Sequence, residues 1–332
     1  MTGGQVVDLN DVVRAVAREL GEEPAGEVSS NGFGLEAAHQ TFVDWQTFWA
    51  RDRREEDWLL EPILARGRGH AMWARHKTGK SLVMLWMAVT LAQRHDVVVI
   101  YLDYEMGEDD LYERLDAMGF GPESDLARLR YALLPSLPPL DTAHGAEALL
   151  LIVDRVQAEH PDAHLVVIVD TLGRAVHGEE NSADTYRAFH RHTGLRLKQR
   201  GITYARADHG GKDATKGQRG SSAKGDDVDV VWNLTAGENG LTLKRDAARM
   251  SWIPLQVGLV RLTDPLRFGI AEHAWPAGTR EAAALLDALS VPPGVGDRPA
   301  GRALREAGHS ASNDIVRAAQ RYRRSAVHEE PT

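Results

Sequence analysis

From residue 69 to about 275 the chain alternates short, densely apolar runs with longer amphipathic ones. This is the pattern of parallel strands covered on both faces and of the helices that cross between them. The runs predicted as strands are His70 to Trp73, Val97 to Glu105, Leu129 to Leu134, Leu165 to Asp170, Ile202 to Ala207, Val228 to Leu234 and Leu241 to Lys244. Helical spacing predicts helices near 82–93, 107–118, 145–159 and 183–199. The expected fold class is α/β, with a doubly wound, mostly parallel sheet.

The flanks read differently. Val6, Leu9, Val12, Val13, Val16 and Leu20 form an amphipathic helical pattern that stops at a Gly and Ser-rich break over 26–34. An aromatic stripe of Phe42, Trp45, Phe48 and Trp49 follows and is expected to pack on the core. Beyond Pro292-Pro293-Gly294 lies a short helix from Ala300 to Ala307, a turn at Gly308-His309-Ser310, and Ser312 as the N-cap of a helix through Arg324. That pair resembles a helix-turn-helix. The expected organisation is an N-terminal helical arm and linker (1–57), the α/β core (58–277), a small C-terminal helical segment (278–325) and a disordered tail (326–332).

Composition narrows the classes. A 332-residue chain with 43% hydrophobic residues can form one sizeable core with appendages. It has no cysteine, which excludes disulfides, thiolate zinc sites and cysteine catalysis. No run of about 18 apolar residues and no secretion-type leader pattern is present, so a soluble, cytoplasmic protein without a membrane partner is expected. A net charge of −9 excludes a uniformly basic coat, although a local basic patch is enough to bind nucleic acid.

The most informative stretch is Ala74-Arg75-His76-Lys77-Thr78-Gly79-Lys80-Ser81, placed between a strand pattern and a helix pattern. Such a loop directs backbone N–H groups and a helix N-terminus at phosphate oxygens, with a lysine for the β and γ phosphates and a hydroxyl for Mg²⁺. Ala74, Lys77, Thr78, Gly79, Lys80, Ser81 and Leu82 are therefore the expected ATP-binding residues, with Lys80 also serving catalysis. Ala74 stands where such loops usually begin with Gly. Asp170, at the end of a buried strand, joins Ser81 as the expected Mg²⁺ residue. Glu105 is the expected carboxylate that activates water, with Asp103 as its competitor.

The order of these motifs resembles the RecA-like P-loop ATPases of the RepA and DnaB hexameric helicase group, and within it the RepA-like AAA ATPase branch. The resemblance covers about residues 58 to 260. It is carried by Lys77-Thr78-Gly79-Lys80-Ser81, Leu102-Asp103-Tyr104-Glu105, Asp170-Thr171-Leu172-Gly173-Arg174, Asp208-His209-Gly210-Gly211-Lys212, Arg219-Gly220-Ser221-Ser222 and Leu241-Thr242-Leu243-Lys244-Arg245-Asp246. Asp208 departs from it, standing where the family often has another His or a small residue. The resemblance implies that His209 senses the γ phosphate and that Lys244 or Arg245 enters the neighbouring subunit's site. It further implies that a loop with Lys212, Lys216, Arg219 and Lys224 contacts single-stranded DNA. Arg317 and Arg321, on one side of the last helix, are further expected DNA contacts.

The implied protein is an ATP-dependent, ring-forming DNA motor acting in DNA replication as a homo-oligomer, a hexameric ring. Priming and origin recognition would fall to separate partners, a primase or an origin-binding protein. A filament-forming recombination ATPase and a nucleotide-switched DNA-binding regulator are the alternatives.

Overall fold

The computed structural model describes residues 43–50, 56–179, 182–210, 227–237, 240–271 and 278–327. The expected arm helix over 6–20 and the loop holding Lys212, Lys216, Arg219 and Lys224 lie outside them. The chain divides into two units, residues 1–54 and 55–332.

In the first unit, helix α1 (Trp45–Ala50) carries the aromatic stripe. Trp45 and Trp49 are exposed and stack at 6.4 Å, with Phe48 edge-on to both. The stripe is thus a surface cluster of its own and not the core packing expected.

The second unit begins with a small antiparallel pair, β1 (Trp58–Leu60) and β2 (Leu64–Ala65). Six parallel strands follow: β3 (Gly69–Ala74), β4 (Val97–Asp103), β5 (Leu129–Leu133), β6 (His164–Asp170), β7 (Thr203–His209) and β8 (Val230–Gly237). Strands β9 (Gly240–Ala248), β10 (Gln256–Thr263) and β11 (Leu266–Ile270) continue the sheet antiparallel beyond β8. The resulting nine-stranded sheet has the order β11-β10-β9-β8-β3-β7-β6-β4-β5.

Alternate residues of the central strands feed two cores. Met72, Val97, Val99, Val166 and Ile168 face helix α2 (Lys80–Ala92), with Leu111 and Leu115 of α3 (Glu108–Ala117) packed at the margin. Ala71, Val98, Ile100, Val167 and Val169 face α4 (Ala143–Glu159) and the helical stretch from 183 to 199. The short helix α5 (Leu172–Ala175) follows β6. The stretch from 183 to 199 is predicted as one helix, yet it is α6 (Ala183–Phe189) and α7 (Leu195–Gln199) joined by a π-helical turn at His190–Gly194. Gly194 lies there against Tyr204, whose hydroxyl would come within 2.9 Å of any Cβ.

The β10–β11 hairpin was not anticipated. Only Val257, Gly258 and Leu259 of β10 are buried, and Pro254, Gly258 and Pro265 interrupt the pattern. The hairpin packs against α2, with Phe268 edge-on to Trp86 at 5.5 Å.

Three C-terminal helices, α8 (Thr279–Ala288), α9 (Asp297–Glu306) and α10 (Asn313–Val327), share a small core of Ala282, Ala283, Leu286, Ala300, Leu304, Val316 and Ala319. Ser312 caps α10 as predicted, its hydroxyl accepting from the Ile315 amide at 3.3 Å. Helix α10 runs on to Val327, into the stretch expected to be a disordered tail.

Candidate functional site

The ladders of the parallel sheet end in register, Ala74 opposite His209 and Asp103 opposite Asp170. Every motif carried by these strands therefore surfaces along one carboxyl edge, where open α/β sheets hold their ligands.

The loop Arg75–Gly79 leaves β3 at this edge and enters α2. Gly79 has φ of 98°, a conformation that L side chains rarely adopt, and Lys77 also lies at positive φ, 61°. Ala74 is still a strand residue, paired with His209 and Leu234 and absent from the positive-φ set among the described residues. Alanine at the first motif position therefore costs the loop no backbone strain.

Lys80 is buried and its Nζ donates to the Asp208 carbonyl at 3.0 Å. The Ser81 hydroxyl donates to Asp170 Oδ1 at 3.2 Å, and the Tyr101 hydroxyl to Asp170 Oδ2 at 2.8 Å. Burial pushes the Asp170 carboxyl above the usual carboxylate range, against the opposing pull of Lys80 and these two hydroxyls.

The two acids after β4 separate clearly. Asp103 is fully buried; Oδ1 accepts the amides of Glu105 and Met106 at 2.8 and 3.0 Å, and Oδ2 accepts the Tyr131 hydroxyl. Its oxygens are spent on shaping the turn. Glu105 instead lines the cavity, where its Oε1 lies 3.2 Å from the Thr171 hydroxyl, 3.2 Å from Arg174 Nε and 3.3 Å from His209 Nε2. The His209 hydrogen bond, with added pull from the imidazole and Lys80, brings the Glu105 carboxyl down to about 2. His209 in turn stacks on His76 at 5.1 Å.

These groups enclose a cavity of about 430 Å³ lined by residues 75 to 82 with Glu105, His209 and Arg114. Arg114, on α3, went unread in the sequence because an arginine in an acidic amphipathic helix resembles an ordinary solvent-facing charge. Its Nη1 is buried without a hydrogen-bond partner among the described residues. Its offset of nine residues from Glu105 places it two and a half helical turns on. That spacing was the one available signal.

Asp208, which departs from the family pattern, points away from the cavity. Its Oδ2 accepts Arg206 Nε at 3.1 Å, and the same fully buried guanidinium grips Asp227 at 2.5 and 3.0 Å.

The basic residues expected elsewhere are sorted by their partners. On β9, Lys244 is exposed with no partner among the described residues, whereas the Arg245 guanidinium donates to the Ile253 carbonyl. Arg317 and Arg321 are not a DNA-facing pair. Arg317 binds Asp297 at 2.8 Å and the Ser251 carbonyl at 2.5 Å, and Arg321 is 4% exposed, paired with Glu56 and lying over the Trp58 ring. Their helix face is turned onto the unit's core, so the expectation for these two is corrected.

A glycine-shaped loop on a strand-to-helix turn, its lysine and serine, and two strand-end acids at the carboxyl edge of this sheet define a RecA-like P-loop ATPase of the RepA and DnaB type. A family model described as an AAA domain matches residues 36–215, more than half of the chain, and the chain belongs to that family. The solved ATPase domain of a DnaB-like helicase shares the fold, with a TM-score of 0.52 at 12% identity over 80% of this chain and 99% of that one. No curated protein matches. No helix among the described residues is long and apolar enough to cross a membrane.

Proposed function

We propose that this protein is an ATP-dependent motor that assembles into a ring, hexameric in the arrangement the sequence resemblance implies, and moves on single-stranded DNA. The observation that supports it most is the meeting of Lys80, the Ser81–Asp170 pair and the Glu105–His209 pair around one cavity at the end of the sheet.

Ser81 and Asp170 offer two hard oxygen donors within 3.2 Å of each other, which suits Mg²⁺ held directly by the hydroxyl and through water by the carboxylate. Bound there, Mg²⁺ would neutralise charge on the β and γ phosphate oxygens. Lys80 would exchange the Asp208 carbonyl for phosphate oxygens, and Arg114 would give its unpartnered N–H to the same anion. Glu105, ionised at neutral pH, is placed to accept a proton from water, and His209 and Thr171 fix its orientation. Lys244, unpartnered on its own subunit, suits the finger that reaches a neighbour's site; Arg245 does not, since it is tied to Ile253. Such a finger requires head-to-tail contact between copies, which closes into a ring or runs on as a filament.

Steady-state ATP hydrolysis with and without single-stranded DNA, read beside molar mass in each nucleotide state, tests this. Stimulation by single strands together with a closed oligomer of fixed mass is the expected result. Tight ATP binding with negligible turnover in all conditions would sink the motor reading.

A further inference from the structure

Seven arginines lie between residues 298 and 324, and the three helices divide them into two sets. Arg317, Arg321, Arg323 and Arg324 turn inward: Arg323 binds Asp287 and Gln320 at 2.7 Å each, and Arg324 approaches Glu56 and Glu61 at 3.7 and 3.8 Å. These four bind the C-terminal helices together and to the core. Arg298, Arg302 and Arg305 of α9 are exposed, and none has an ion-pair or hydrogen-bond partner among the described residues.

Their spacing of four and then three residues puts them on a single face of α9, spread over about 10 Å of helix axis. Ala300, Gly301 and Leu304 occupy the opposite, buried side. Helix α9 is pinned in this orientation, because Asp297 at its start is held by Arg317 and Leu304 sits in the three-helix core. In a chain of net charge −9, three uncompensated guanidinium groups on one fixed helix face form a local cationic stripe.

We propose that this stripe on α9 is a DNA-binding surface that contacts the sugar–phosphate backbone. Planar guanidinium groups repeated along one line suit the phosphates of one strand, which carry like charge at regular intervals and call for no base reading. The inference rests on the motor reading for the choice of DNA among polyanions.

The test is binding of labelled single-stranded and duplex DNA across a series of salt concentrations, by the wild-type protein and by the triple variant Arg298→Gln, Arg302→Gln, Arg305→Gln. Each phosphate contact contributes about 0.7 (single strand) or 0.9 (duplex) to the slope of log K against log salt. The variant is expected to bind at least tenfold more weakly at low salt, with the slope reduced by about 2 to 3 and the slope per arginine identifying the form of DNA. DNA-free ATP turnover and molar mass should stay at wild-type values. Should the triple variant fail to fold, Arg302→Gln alone should lower the slope by about 0.7 to 0.9.

An unchanged slope and affinity would overturn the proposal while leaving the motor reading intact. Binding that depends on the stripe but never stimulates hydrolysis would uphold the surface and count against the motor. Absence of salt-dependent DNA binding in the wild type would overturn it as well.

Discussion

The Glu105 carboxylate meets the His209 imidazole at 3.3 Å, although their strands, β4 and β7, are separated by β6. Thr171, directly after β6, donates to the same Glu105 oxygen, so three strand ends converge on one atom. The carboxyl is held near 2 chiefly by the His209 bond. Glu105 therefore keeps its charge through the whole range in which the protein is expected to work. His209→Ala should raise the Glu105 carboxyl towards its ordinary value of 4.5, and an acid limb should appear in the pH profile of turnover where the wild type has none.

Asp170 moves in the opposite direction, because burial raises its carboxyl. A cation held through this group requires the ionised form, so protons compete with it. Affinity for MgADP is predicted to fall as pH drops through a value above the usual carboxylate range, and Asp170→Asn should remove that dependence. Calorimetric titrations across the acid range read both.

Lys244 and Arg245 are expected to fail in different ways. Lys244→Ala should leave folding and assembly intact and lower turnover by about 10³, the scale of a lost phosphoryl-stabilising finger. Arg245→Ala should instead lower the thermal midpoint, since its guanidinium is bound to Ile253. Mixing Lys244→Ala with Glu105→Gln subunits should restore part of the turnover if Lys244 acts on a neighbour. No recovery in mixed rings would assign its effect to its own site.

Arg206 is a different kind of residue. Fully buried, it holds Asp208 and Asp227 and lies 4.8 Å over the Tyr186 ring. Removing one member of a buried ionic network leaves its partners uncompensated, so Arg206→Met should cost about 3–5 kcal/mol in denaturant unfolding. A loss below about 1 kcal/mol would show that the network is dispensable to the fold.

Arg114 links the cavity to α3. If its unpartnered Nη1 serves phosphate, Arg114→Ala should weaken ATP binding about tenfold or more, with adenosine unaffected, while the thermal midpoint without nucleotide holds. Equal loss for adenosine would point to distortion of the cavity.

The central strands and the phosphate loop were legible because strands buried on both faces write themselves as apolar runs, and because Gly79-Lys80-Ser81 has few other uses between a strand and a helix. The choice between Asp103 and Glu105 was not, since it turns on which oxygens the Tyr131 hydroxyl and the turn amides occupy. The inward face of α10 was hidden for a related reason. Its partners, Glu56, Ser251 and Trp252, lie far off in the chain, and a row of arginines looks the same whether it meets water, phosphate or buried carboxylates. The β10–β11 hairpin escaped because half of its residues face solvent.

The most direct test of the central claim is single-turnover ATP hydrolysis by wild type and Glu105→Gln, with nucleotide affinity measured on the same samples. Unchanged MgATP binding is predicted, with a rate lowered by about 10² to 10⁴, the scale of a lost general base. Hydrolysis by Glu105→Gln at the wild-type rate would contradict this, and would mean that the carboxylate held by His209 is not the group that activates water.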